Sequence, residues 1–150
     1  MPSNLQPLDE INRRMLVELQ SDGRVSLAEL ARRLHVSAPT VAERLQRLET
    51  DGVIRGYGAQ VDPVAAGFAL SVIIRVRPGP QQLHSVAELV KAMPEVVEGH
   101  RITGDDCFLL KAHVRDVGHL EELIDALAPY GQTTTSIIQS SPVPLRGVAL

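Results

Sequence analysis

Aromatic side chains make up only 3 % of this 150-residue sequence, with two Tyr, two Phe and no Trp. A core organised around large rings is thereby excluded, and packing must come from Leu, Val, Ile and Ala. Cys107 is the single cysteine. One thiol closes no disulfide within a chain, which fits a reducing compartment. No apolar run approaches the roughly 18 residues needed to span a bilayer. The opening "MPSNLQPLDE" has no basic region followed by an apolar one, so no secretion signal is read there. These absences together suggest a cytoplasmic protein. Neither sign of charge dominates, since the formal net charge is −3. That weighs against a uniformly basic nucleic-acid binder. Hydrophobic residues at 44 % and charged residues at 22 % give an ordinary globular balance. The length suits one large domain or two small ones.

The distribution of charge says more than its sum. Between Arg24 and Arg55 there are six arginines (24, 32, 33, 44, 47, 55) against four carboxylates (Glu29, Glu43, Glu49, Asp51). The same stretch carries three short helical rhythms. Leu8, Ile11, Met15 or Leu16, and Leu19 recur at spacings of three and four, as on a helix with one buried stripe. Asp9 stands at the N-cap position, and Gly23 in "SDGR" suits a left-handed stop. Ser26 and Glu29 form an S-x-x-E capping box at the head of a second helix, with Leu27, Leu30, Ala31 and Leu34 on its apolar face. Ser37 caps a third, and Pro39 stands in its first turn, where a missing N–H costs nothing. Val41, Leu45 and Leu48 face inward, Thr40, Arg44 and Arg47 outward. Gly52 follows as the terminator.

After "VIRGYGAQVD", read as extended chain, the turn-rich "PVAAG" (Pro63 to Gly67) marks a boundary between residues 1–62 and 63–150. The second half changes grammar. "ALSVIIRVR" is β-branched and partly alternating, hence a strand. A helix through Leu83, Val86, Val90 and Met93 follows. "VVEGHRIT" and "CFLLKAHV" read as two strands joined by a tight "GDD" connection. A helix through Leu120, Leu123, Ile124 and Leu127 and a last strand, "TTTSIIQS", complete a β-α-β-β-α-β order. That order is the ferredoxin-like arrangement, with two helices on one face of an antiparallel sheet. Ile73, Leu109 and Ile137 lie in strands with apolar residues on both sides, so a second sheet is expected to stack on the open face and form a homodimer.

Two short helices joined by a three- to four-residue turn match helix-turn-helix geometry. With its inner side clamped, the third helix presents its outer side and N-terminal turn to the major groove of duplex DNA. Ser37, Thr40 and Arg44 are the candidates for base edges, with Ser26 and Pro39 in the capped turns beside them. Arg24, Arg32, Arg33, Arg47 and Arg55 are candidates for phosphates, which position without reading sequence. Any one exposed arginine alone is ordinarily just solvated. The combination of capping box, turn, second cap and extended exit carries the reading.

Other chemistry finds less support. His35, His84, His100, His113, His119 and Cys107 form no C-x-x-C or H-x-x-x-H pair, so scattered surface histidines are expected and no metal site. Cys107 heads an apolar strand, where a free thiol behaves as a small hydrophobe. There is no phosphate-cradling Gly motif and no G-x-S-x-G, so no catalytic site and no cofactor are expected. A stand-alone small-molecule module, its helices serving only assembly, would leave activity unchanged when Arg44 and Arg47 are replaced.

Residues 8–57, "LDEINRRMLVEL…SLAELARRLHVSAPTVAERLQRLETDGVIRGY", resemble the N-terminal half of the Lrp/AsnC (leucine-responsive/asparagine, or feast/famine) regulators. "RITGDDCFLLKAHV" and "TTTSIIQS" resemble that family's amino-acid-binding domain. The resemblance spans nearly the whole chain. It implies an α+β transcriptional regulator, a winged helix-turn-helix followed by a ferredoxin-like βαββαβ regulatory domain. It further implies homodimers assembling to octamers or similar rings, with Val53 to Val61 linking the domains and pairing across the dimer. A free amino acid would bind between subunits near Thr103, Gly104, Asp105 and Asp106, with Thr135 and Ile137 contributed by the last strand. A Gly in that loop exposes backbone N–H groups to a carboxylate, and the two Asp carboxylates offer partners to an ammonium. "TGDD" also reads simply as a good turn. Many members carry Thr-Gly-x-aromatic-Asp here; in this sequence Asp106 and Cys107 occupy the last two positions.

Overall fold

The computed structural model describes residues 8–150. The start of the stretch in which no secretion signal was read lies outside them. The chain forms two compact units: residues through Ala59 together with Val143–Leu150, and Gln60–Pro142. A single division at 62/63 would put residues 143–150 with the second half, whereas they pack with the first.

The first unit contains α1 (Glu10–Ser21), α2 (Leu27–Leu34) and α3 (Ala38–Thr50). All three start at the caps the sequence offers. Asp9 accepts from Asn12 N at 2.8 Å, Ser26 Oγ from Glu29 N at 3.2 Å and Ser37 Oγ from Thr40 N at 3.3 Å. Each satisfies an amide that the first turn leaves orphaned. The end of α1 differs from expectation. Gly23 is not left-handed, because Asp22 already leaves the helix in an extended conformation and its carboxylate accepts from Arg24 N at 2.9 Å. The left-handed residue of this unit's central turn is His35 (φ 57°), which lets Val36 N reach back to Ala31 O at 3.1 Å. Gly52 (φ 71°) ends α3 as read. Met15, Leu30 and Val41 are fully buried, with Leu16, Ala31, Leu34 and Leu48 beside them and Leu45 half-buried. No strand forms between α3 and β1 in a single copy of the chain.

The second unit comprises β1 (Leu70–Pro78), α4 (Leu83–Ala92), β2 (Val96–Arg101), β3 (Phe108–Val114), α5 (Val117–Leu127) and β4 (Gly131–Ile137), with a single 3-10 turn before β4. The sheet is antiparallel throughout in the order β2-β3-β1-β4. Residues of period two along β1 (Val72, Ile74, Val76) and β3 (Phe108, Leu110, Ala112, Val114) are buried, and they meet Val86 of α4 and Leu120, Leu123 and Leu127 of α5. The opposite face carries Ser71, Ile73, Arg75 and Arg77 of β1 with Leu109, Lys111 and His113 of β3. Ile137 is not on that face. It pairs with buried Val72, so it belongs to the helix-covered side at the end of the edge strand, where it is half exposed. The β2–β3 ladder slips register between Val96 and Glu98.

His119 is buried rather than a surface histidine. Arg115 N donates to its Nδ1 at 3.2 Å, leaving Nε2 to face Glu95 Oε1 at 3.0 Å. The Glu95 carboxyl is held below the usual carboxylate range by its own backbone N–H and by the His119 ring. A depressed folded pKa adds stability that is complete above the unfolded value, about 4.3, and lost as pH falls through the folded one. Glu95→Gln should therefore be less stable than the parent near pH 6 and converge with it on acidification below pH ~4. Urea melts at several pH values check this; parallel curves would remove Glu95 from the acid response.

Candidate functional site

The N-terminal turn of α3 is exposed at Ser37, Ala38 and Pro39, and Thr40 is half-buried. Ser37 Oγ and Thr40 Oγ1 lie 2.7 Å apart, so the capping pair orders two hydroxyls at the helix entrance. Arg47 projects from the exposed face, joined among the described residues only to Glu43, by a 3.3 Å contact in which both side chains are largely exposed. Such a pair contributes little and yields readily to a phosphate.

Arg44 behaves differently from its outward spacing. Its Nη1 donates to Asp9 Oδ2 at 2.6 Å and to Asn12 Oδ1 at 3.0 Å, tying α3 to the head of α1. The Asp9 carboxyl is lowered chiefly by that Arg44 hydrogen bond. Arg33 is likewise structural in this state, bridging Glu18 of α1 at 2.6 Å and Glu29 at 2.8 Å. Arg32 also holds Glu29, and the two guanidiniums, Arg32's first, depress the Glu29 carboxyl to about 2. Glu29 thus completes only half of a capping box, because its side chain serves arginines rather than the Ser26 amide. Arg24 and Arg55 are exposed.

The loop between β2 and β3 is closed by Ile102 N donating to Cys107 O at 2.9 Å. Gly104 adopts φ 106°, a conformation side chains avoid. Asp106 lies 3.8 Å from both Arg75 and Arg77, and Asp105 lies 3.4 Å from Arg77. The carboxylates therefore already face cations on the open side of the sheet. Thr135 pairs with Ile74 and so lies on the covered side, where its Oγ1 is buried with no hydrogen-bond partner among the described residues. One copy of the chain does not bring Thr135 and Ile137 together with Thr103–Asp106. No group of three or more His, Cys, Asp or Glu among the described residues is arranged to hold a metal.

Residues 8–49 match the AsnC-type helix-turn-helix domain, and residues 71–148 match the Lrp/AsnC ligand binding domain. The chain belongs to the Lrp/AsnC family of transcriptional regulators. The HTH-type transcriptional regulator LrpC of Bacillus subtilis is 32 % identical over 89 % of this chain and 92 % of its own length. LrpA of Mycobacterium tuberculosis is 32 % identical over 93 % of this chain and 91 % of its own. The solved structure of B. subtilis LrpC superposes with a TM-score of 0.87 at 31 % identity, covering 91 % of this chain and 97 % of that one. A feast or famine regulatory protein from M. tuberculosis, solved with L-methionine, gives 0.88 at 31 % identity over 95 % and 99 %. The Lrp/AsnC fold, a DNA-binding helix-turn-helix domain plus a four-stranded antiparallel α/β domain, is thus shared across these chains, and the family is one of regulators rather than enzymes.

Several residues of this Lrp/AsnC chain escaped the sequence reading. Tyr57 OH donates to Glu49 Oε1 at 2.8 Å, fastening the exit segment to the end of α3. Burial, and secondarily that carboxylate, push the phenol up to about 12. Arg75 and Arg77 lie in "ALSVIIRVR", whose alternation marks them only as strand residues. Tyr57 falls outside the helical periodicity and the arginines on an alternating strand, so neither stood out by spacing.

Proposed function

We propose that this regulator binds duplex DNA as a homodimer, with α3 of each copy in the major groove of a half-site, and that a free amino acid tunes that binding. The carrying observation is α3 itself. Val41 and Leu48 clamp one side into the aliphatic core, while its capped entrance and Arg47 stay accessible. A helix so held meets a groove without reordering. The open sheet face, with Ile73 and Leu109 among Arg75 and Lys111, supports stacking of a second copy. Pairing of residues 53–61 across that dimer, and growth to an octamer or similar ring, extend the same reading. For the effector, support comes from relatives solved with L-methionine: the M. tuberculosis protein, and a Neisseria meningitidis regulator with a TM-score of 0.85 at 26 % identity. A ligand at Thr103–Asp106 would exchange with the Arg75 and Arg77 pairs, its carboxylate taking the arginines and its ammonium the aspartates.

The test compares two arginines on specific and random duplexes. If the Arg44 guanidinium exchanges Asp9 and Asn12 for a base edge on the duplex, Arg44→Ala weakens specific binding by about 1–3 kcal/mol more than non-specific binding, whereas equal losses on both assign it to the tie between α1 and α3. Arg47→Ala should weaken both equally and flatten the salt dependence by about one ion. Because Arg44 also anchors Asp9, thermal melts accompany the titrations. A parent protein without salt-sensitive duplex affinity would refute the proposal. Thermal-shift titration with each of the twenty amino acids tests the effector, since a ligand preferring the folded state raises the melting temperature.

A further inference from the structure

Residues 143–150 are unexplained by the functions above, yet they dock on the first unit. Gln20, on the exposed side of α1, uses both ends of its amide. Its Nε2 donates to Val148 O at 3.1 Å, and its Oε1 accepts from Val148 N at 2.7 Å. This pair satisfies a backbone residue as a neighbouring strand would. Gly147 allows the approach, since a Cβ there would collide with the Gln20 side chain. Beside the clamp, Val148 and Leu150 line a groove of about 380 Å3 with Leu16, Leu19, Ile54 and Tyr57. Leu150 is 41 % exposed, less than Val143, Leu145 or Val148, and Val148 remains 71 % exposed. The seat is shallow, so the contact is reversible.

Connectivity gives the seat its meaning. The chain leaves the first unit after Ala59 and returns to it at Val143. Only residues 138–142 separate β4 from the docked segment, and Pro142 and Pro144 stiffen the path. We propose that residues 143–150 are a detachable clasp of the helix-turn-helix unit, docked on Gln20 and the α1 groove of their own chain. Docked, the DNA-binding unit is held by two chain crossings; released, by one. This rests on the dimeric DNA-binding reading above, because two half-sites at fixed spacing reward a fixed unit. A looser tether lowers the effective concentration of the second helix at its half-site.

Two measurements on the full-length protein test it. The first is tryptic cleavage at the Arg146–Gly147 bond, followed by mass spectrometry, which needs no DNA. Gln20→Ala should speed that cleavage roughly three- to tenfold, the worth of one or two hydrogen bonds. The second is affinity for duplexes with one or two half-sites. Gln20→Ala, and deletion of residues 143–150, should each weaken two-site binding about three- to tenfold, leave one-site binding unchanged and widen the tolerated spacing. Unchanged cleavage would overturn the docking. Faster cleavage with unaltered two-site affinity, or equal losses on both duplexes, would overturn the clasp. A parent that binds no duplex would instead refute the proposed function, and the cleavage comparison would still decide the docking.

Discussion

Leu30→Ala is expected to melt the helix-turn-helix unit well before the sheet unit and to abolish duplex binding. Leu30 is fully buried between α1 and α3, against Met15 and Val41. Truncation removes three methylene-sized groups and leaves a cavity, a change that costs about 2–5 kcal/mol at comparable sites. A unit of this size buries too little surface to hold much reserve, so a loss of that order approaches its whole stability. The sheet unit has its own core and need not follow. Calorimetry should show one transition lowered and one unmoved, and a single transition shifting as a whole would show that the two cores unfold together.

Leu110→Ala is the converse experiment. Leu110 sits mid-way along β3, opposite Ile74 of β1 and Gly99 of β2. A Cβ on Gly99 would stand 3.2 Å from Leu110 Cδ2, so the leucine occupies the room that the glycine leaves. Its loss opens a void on the edge-strand side at about 2–5 kcal/mol. Leu110→Met keeps the volume and should cost under about 1.5 kcal/mol. The alanine variant should lower the sheet transition and weaken assembly, while one-half-site DNA affinity per folded helix-turn-helix unit is retained. Gel filtration with one-site binding assays reads both. Loss of one-site affinity at a temperature where the first unit stays folded would contradict the independence of the two cores.

Features encoded between sequence neighbours were legible in advance. Asp9, Ser26 and Ser37 cap the helices as their spacing indicates, because each hydrogen bond closes within three residues. The strands and their order follow from β-branched alternation. Features encoded across the fold were not. Arg44 has the spacing of an outward residue, but its partner Asp9 is 35 positions away. Ile137 shares its strand with exposed polar residues, and only the pairing with Val72 reveals its side. Among histidines of similar local context, His119 is buried because Glu95 waits 24 residues upstream. Gln20 and Val148 are separated by 128 positions, and no periodicity links them. In the loop between β2 and β3 the sequence identified the aspartates but not the arginines that neutralise them, since those stand on another strand.

The slip of register between Val96 and Glu98 also bears on what the border of the sheet can pair with. β2 is a border of the sheet and offers unpaired amides and carbonyls to any passing strand. A bulge there bends and twists the border, and the carboxylate of Glu98 adjoins the irregularity. Ribbon-like growth by adding strand to strand at that border is thereby discouraged, which guards an exposed row of amides and carbonyls against running on into fibres.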